Sequence, residues 1–160
     1  HMNIQNKNIV ITGAANGIGY ALSKRMSEES PKSISLIDIK SSLKEVARSL
    51  NADSYIVDVS NEHDFQTVLK DIINKNGSID LFCSNAGIQQ FGTLETSTPD
   101  WQKNWDVNVM SHIYAAKVLI PHMKKQGSGY LLLTVSAAGL LNMPGAIAYA
   151  TTKHLSLIHI

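Results

Sequence analysis

A single cysteine, Cys83, in a chain of 160 residues leaves no partner for a disulfide within the chain. A reducing compartment is then the default, and a cytoplasmic location is the expectation. An excess of either charge is also missing. Fourteen Lys and Arg against thirteen Asp and Glu give a formal charge of +1, which supplies no electrostatic reason for a nucleic acid or a membrane as partner. The apolar runs are far too short to span a bilayer, and the N-terminal stretch has no signal-peptide pattern. His1-Met2 reads as a cloning remnant and is left out of the fold. The four prolines and ten glycines gather into no linker, and no repeat or low-complexity tract divides the sequence, so residues 3–160 are expected to form one domain. The six histidines and thirteen acidic residues show no ligand spacing, and no metal site is expected.

What is present is alternation. Runs rich in Ile, Leu and Val predict strands over 8–12, 33–38, 54–57, 79–84 and 130–135, and longer polar-faced segments predict helices over 17–29, 42–50, 61–76 and 99–125. Strands apolar throughout point to burial on both faces, and their alternation with helices predicts an α/β domain with a doubly wound parallel sheet. In the long last helix, Trp101, Trp105, Val109, Ile113 and Ala116 form a stripe expected to pack inward. Ligands of such sheets sit at the carboxyl ends of the strands, so the residues following each strand carry the functional reading.

After the first strand comes Thr12-Gly13-Ala14-Ala15-Asn16-Gly17-Ile18-Gly19. Glycines there permit a close backbone approach, and the N-terminus of the following helix offers free N–H groups to a phosphate. The second strand ends in Asp38, about 20 residues past the turn, where a carboxylate can accept from a ribose hydroxyl or can simply be an exposed strand end. A 2′-phosphate would meet that negative charge with no basic residue in the loop, although Lys40 is close, so NAD is favoured over NADP. Asp58 and Val59 follow the third strand. Asp58 suits an adenine amino group, while Ser60 or Asn61 suits a helix cap. Asn85-Ala86-Gly87 after the fourth strand fits either a flat cofactor lying on the backbone or an ordinary turn. Asn108, between two valines in a helix, needs a partner if buried: a structural bond to a neighbouring strand, or a water near a site.

Ser136 lies at the carboxyl end of the fifth strand, and Tyr149 and Lys153 follow four residues apart, on one face of a helix. A free tyrosine titrates near about 10, and bringing it to neutrality takes roughly 4 kcal/mol. An ammonium about 4 Å away supplies about that much at an effective dielectric near 20. By itself such a pair is usually a surface pair; the set in this order is another matter.

Together the TGxxxGIG loop, Asp38, Asp58, the NAG turn, Asn108, Ser136 and the YxxxK pair resemble the short-chain dehydrogenase/reductase family, from about Asn6 to Lys153. The resemblance implies a Rossmann-type fold and an NAD(P)-dependent oxidoreductase acting on a secondary alcohol or ketone. It implies that Thr12, Gly13, Asn16, Gly17, Ile18 and Gly19 form the pyrophosphate loop, that Asp38 binds the adenosine ribose, and that Asp58 and Val59 meet adenine. Asn85, Ala86 and Gly87 would line the cofactor's path. Tyr149 would be the acid/base, Lys153 would bind the nicotinamide ribose and activate Tyr149, Ser136 would orient the substrate oxygen, and Asn108 would hold a water for a proton relay. A homo-oligomer is expected, paired through the helix carrying Asn108.

The sequence departs from the family in its length. By the resemblance, two further strands, the substrate-binding helices and the loop over the nicotinamide are expected to be missing, and the tail from His154 to Ile160 lacks the expected small-residue pattern, as after a frameshift or early stop. The expectation is an exposed edge on the fifth strand. The alternative reading is a truncated, inactive member that binds NAD or a partner. The loop 140–144 is expected to face the substrate.

Overall fold

The structure, a computed structural model, describes residues 3–141 and 143–158. The His1-Met2 remnant, Asn142 of the loop expected to face the substrate, and the last two residues of the tail lie outside the described residues.

Five parallel strands stand in the order β3-β2-β1-β4-β5, with β1 Asn8–Thr12, β2 Ser33–Asp38, β3 Asp53–Ile56, β4 Leu81–Ser84 and β5 Tyr130–Leu133. β1 is Asn-Ile-Val-Ile-Thr, a β-branched run buried at every position, and it takes the centre, with Ile9 opposite both Ile34 and Leu81. Burial on both faces holds for β1, β2 and β4. It fails for β5, an outer strand in which Tyr130 is 56% and Leu132 45% exposed. An apolar run cannot distinguish a central strand from an edge strand, because position in the sheet is set by the crossovers.

The helices α1 Gly17–Ser27 and α2 Leu43–Ser49 bury Met26, Leu43 and Ala47 on one face against Ile9, Ile11, Leu36 and Leu81. On the other face, α3 Glu62–Asn76 and α5 Ser111–Gln126 pack Phe65, Leu69, Ile72, Leu119 and Met123 on Val10, Ile37 and Phe82. Of the two candidate caps for α3 it is Asn61 that serves, its Oδ1 accepting from the Asp64 N–H at 3.2 Å. The connections after β1 and β4 run to opposite sides, which opens a crevice between those two strand ends.

The segment expected as one helix is two, α4 Thr98–Trp105 and α5, joined by a π turn at Asp106–Met110. The expected inward stripe is corrected in part. Val109 is buried, but Trp105 and Ile113 are 38% and 37% exposed, while Asn104, Asn108, Ser111 and His112 face inward. Those inner residues are polar and individually hydrogen-bonded, Asn104 to Gln90 and Ser111 to the Val107 carbonyl among them. A hydropathy period therefore selects the neighbouring face. The remaining helix, α6 Ile147–Ile158, carries Tyr149 and Lys153. No helix among the described residues is long and apolar enough to cross a membrane.

Candidate active site

A cleft of about 600 Å³ opens over the carboxyl ends of the strands. It is lined by Gly13, Asn16, Gly17, Ile18, Asp38, Asp58, Val59, Asn85, Ala86, Gly87, Ser136, Tyr149 and Lys153, and thus collects most of the residues picked from the sequence. Thr12, Gly19 and Asn108 are not on its wall.

The glycine loop divides its work. Gly17 has φ +55°, and a Cβ built on it meets nothing within 4 Å, so its backbone is open to the cleft. Asn16 caps α1 without a side-chain bond, and no acid stands in the first turn, which leaves the helix N-terminus available to an anion. Gly19 is the reverse case: its Cβ would stand 2.1 Å from the Gly13 carbonyl oxygen and 2.7 Å from Asn85 Nδ2. Thr12 acts behind the loop, its Oγ1 accepting from the N–H groups of Asn85 and Ala86, each at 3.0 Å.

Asp38 is 9% exposed, so it is no solvent-facing strand end. Its Oδ2 accepts from the Ala15 N–H at 2.9 Å and its Oδ1 from the Lys40 N–H at 3.0 Å, which ties the glycine loop to β2. Asp58 is exposed on the cleft wall, with Oδ1 accepting from both the N–H and the hydroxyl of Ser60. The Asn85 side chain lines the cleft with its polar atoms engaged in the protein. Nδ2 donates to the Thr12 carbonyl at 3.1 Å, and Oδ1 accepts from Thr134 Oγ1 at 2.9 Å.

At the other end, Ser136 heads a short 3₁₀ turn and accepts from the Ala138 N–H at 3.2 Å. Lys153 places its ammonium 6.0 Å from the centre of the Tyr149 ring and donates to the Thr134 carbonyl at 3.2 Å. It is 5% exposed, and burial lowers its pKa from the ordinary lysine value. Asn108 is fully buried. Its Oδ1 accepts from the Ile88 N–H and its Nδ2 donates to the Ile88 carbonyl, both at 2.9 Å, with a further bond to Thr152 at 3.1 Å. These bonds clamp the segment after Gly87 to α6.

The family model described as short chain dehydrogenase matches residues 7–156. The chain belongs to this family. It is 33% identical over 156 residues to the meso-2,3-butanediol dehydrogenase of Serratia marcescens, covering 95% of this chain and 62% of that one. Among solved structures it resembles a short chain dehydrogenase/reductase from Burkholderia phymatum in complex with NAD (TM-score 0.92, 30% identity, 98% of this chain and 58% of that one). An NAD+-bound xylitol dehydrogenase superposes with a TM-score of 0.91 at 27% identity, covering 98% of this chain and 63% of that one. The chain spans about three-fifths of the length of the curated relatives it matches.

Two groups near the cleft carry no signal in the motifs. Thr134 holds both Asn85 and Lys153, and its place two residues before Ser136 at a strand end is the signal that marks it. His112 sits inside α5, 4% exposed, with Nδ1 2.6 Å from Ser84 Oγ. Burial, and next the positive charge of Lys153, hold its pKa down at about 4, against a smaller upward pull from the Asn108 carbonyl. Unfolded, the same imidazole takes its proton near about 6.5. The stability it contributes is therefore complete above that pH and is lost as pH falls toward 4, a drop of about 3 kcal/mol. Urea melts from pH 7 to pH 4 should show this loss, and His112→Leu should flatten that part of the profile.

Proposed function

We propose that the chain binds NAD(H) in this cleft and serves hydride transfer between the nicotinamide and a secondary alcohol or ketone. The observation that carries the reading is one continuous cleft that runs from Asp58 and Asp38, past the open Gly17 backbone, to the Tyr149–Lys153 pair. A dinucleotide has its anion in the middle and its reacting ring at one end, and these residues fit that order. Gly13, Gly17 and Ile18 hold the pyrophosphate, Asp38 the adenosine ribose, and Asp58 and Val59 the adenine. Asn85, Ala86 and Gly87 form the floor, and the NAD-bound relatives support this assignment. The nicotinamide, when bound, supplies the hydride chemistry. Tyr149 gives or takes the proton at the substrate oxygen, Ser136 hydrogen-bonds that oxygen, and Lys153 holds the ribose beside the Tyr149 ring. Asp38 and the absence of a basic residue inside the glycine loop favour NAD over NADP. The mostly apolar loop around Leu140 and Leu141 suits an apolar or a small substrate.

A second reading, an NAD-binding or partner-binding member without turnover, is favoured by one observation. Leu140 and Leu141 are 75% and 68% exposed, so the expected substrate wall stands in solvent. In either case Trp105, Ile113 and Ile120, exposed along α4 and α5, suit pairing of two copies. A cytoplasmic location suits Cys83, whose thiol is pushed up to about 12 by burial.

Titration with NADH, followed by fluorescence, tests the binding. Saturation is expected in the unaltered chain, about tenfold tighter than for NADPH, and its loss is expected in Gly17→Arg with the circular dichroism unchanged. No saturation at roughly millimolar NADH would remove the reading.

A further inference from the structure

We infer that His112 is a positioning residue for the Tyr149–Lys153 pair: its hydrogen bond to Ser84 fixes the end of β4, and with it the Thr134 carbonyl that holds the Lys153 ammonium. The inference rests on the reading of Tyr149 and Lys153 given above. The chain of contacts is short. His112 Nδ1 lies 2.6 Å from Ser84 Oγ, the Ser84 carbonyl accepts from the Thr134 N–H at 3.1 Å, and the Thr134 carbonyl accepts from Lys153 Nζ at 3.2 Å. One serine and one threonine separate the imidazole from the ammonium. Thr134 also fixes Asn85 through Oγ1, so any shift of this residue reaches the cleft floor.

Space-filling alone does not account for a histidine here. Ala115 and Leu119, further along the same buried face, are apolar, whereas the imidazole is almost wholly removed from water and, among the described residues, its Nε2 has no partner. Such a group persists where its one directed bond matters. The groups that act on it are Lys153 from α6, Ser84 from β4 and the Asn108 carbonyl from the preceding turn. Cys83, the other titratable group of β4, belongs to the opposite core layer.

The test is the titration of Lys153 in the 160-residue chain labelled with 13C at the lysine ε carbon, the signal being assigned by its loss in Lys153→Met. With the carbonyl displaced, a buried ammonium has less to compensate its lost hydration and gives up its proton more easily. His112→Leu and Ser84→Ala should each lower the Lys153 midpoint by about half a unit or more and weaken NADH binding about fivefold. His112→Asn, whose amide stands at the position of the imidazole Nδ1 that faces Ser84, should restore both. An unmoved Lys153 midpoint in the Leu and Ala variants overturns the inference, and so does an Asn variant displaced as far as the Leu one. If His112→Leu does not fold, Ser84→Ala carries the decision. A parent chain that binds no NADH defeats the cofactor reading, while the lysine titration still decides this one.

Discussion

Alanine at Gly19 should cost the fold about 3 kcal/mol, while alanine at Gly17, two residues earlier, should cost about 1–2 kcal/mol and remove most of the NADH affinity. The two sites differ in what a methyl group meets. At Gly19 it would stand 2.1 Å from a backbone oxygen of the same loop, and neither that carbonyl nor the Asn85 amide 2.7 Å away can yield without opening the join between β1, α1 and β4. At Gly17 it would meet no protein atom, so the fold bears only the strain of an L-residue at φ +55°. The same methyl would occupy the space offered to the pyrophosphate. Thermal melts should show Gly19→Ala lowered by about 6–12 °C and Gly17→Ala by only a few degrees. NADH titration of the folded variants should show the loss at Gly17. Equal melting losses at both positions would mean that the loop acts as one structural unit.

That division of labour marks where the sequence stops informing. The motif records three glycines at fixed spacings, and the spacings alone assign all three to a phosphate. The approach of Gly19 to Gly13 is a distance through space, visible only once β1 and α1 are packed. The same holds for Asn85. Its type and its place after a strand marked it, but its bonds run to Thr12 and Thr134, 73 and 49 residues away in the chain.

Where burial is complete and side chains are β-branched, the pattern is legible to the residue: β1 and β2 begin and end where their apolar runs do. β3 shifts by one residue and β5 stops at Leu133, because an outer strand pairs on one side only and its end is set by its neighbour. The inner face of the π turn and of the start of α5 is illegible for a different reason. Asn108, Ser111 and His112 are buried by virtue of individual hydrogen bonds, and hydropathy counts each of them as surface. Residues buried by directed bonds are thus the ones that a hydrophobic period is least able to find.

Tyr149→Phe should lower kcat about 10³-fold on any alcohol that the chain oxidises, with NADH affinity changed by less than about twofold. Among the described residues no side chain holds the Tyr149 hydroxyl, so its removal breaks no bond of the fold and leaves the aromatic ring beside the Lys153 ammonium. What is lost is the phenolic hydroxyl proposed to exchange a proton with the substrate oxygen. Lys153→Met should behave differently. It removes a buried ammonium that donates to Thr134, so NADH affinity and turnover should fall together. A Tyr149→Phe chain that keeps turnover within about tenfold of the parent would place the acid/base elsewhere. A parent that binds NADH but turns over no alcohol would favour the reading without catalysis. Tyr149→Phe would then match the parent in every measurement, because the hydroxyl matters only where a substrate oxygen reaches it.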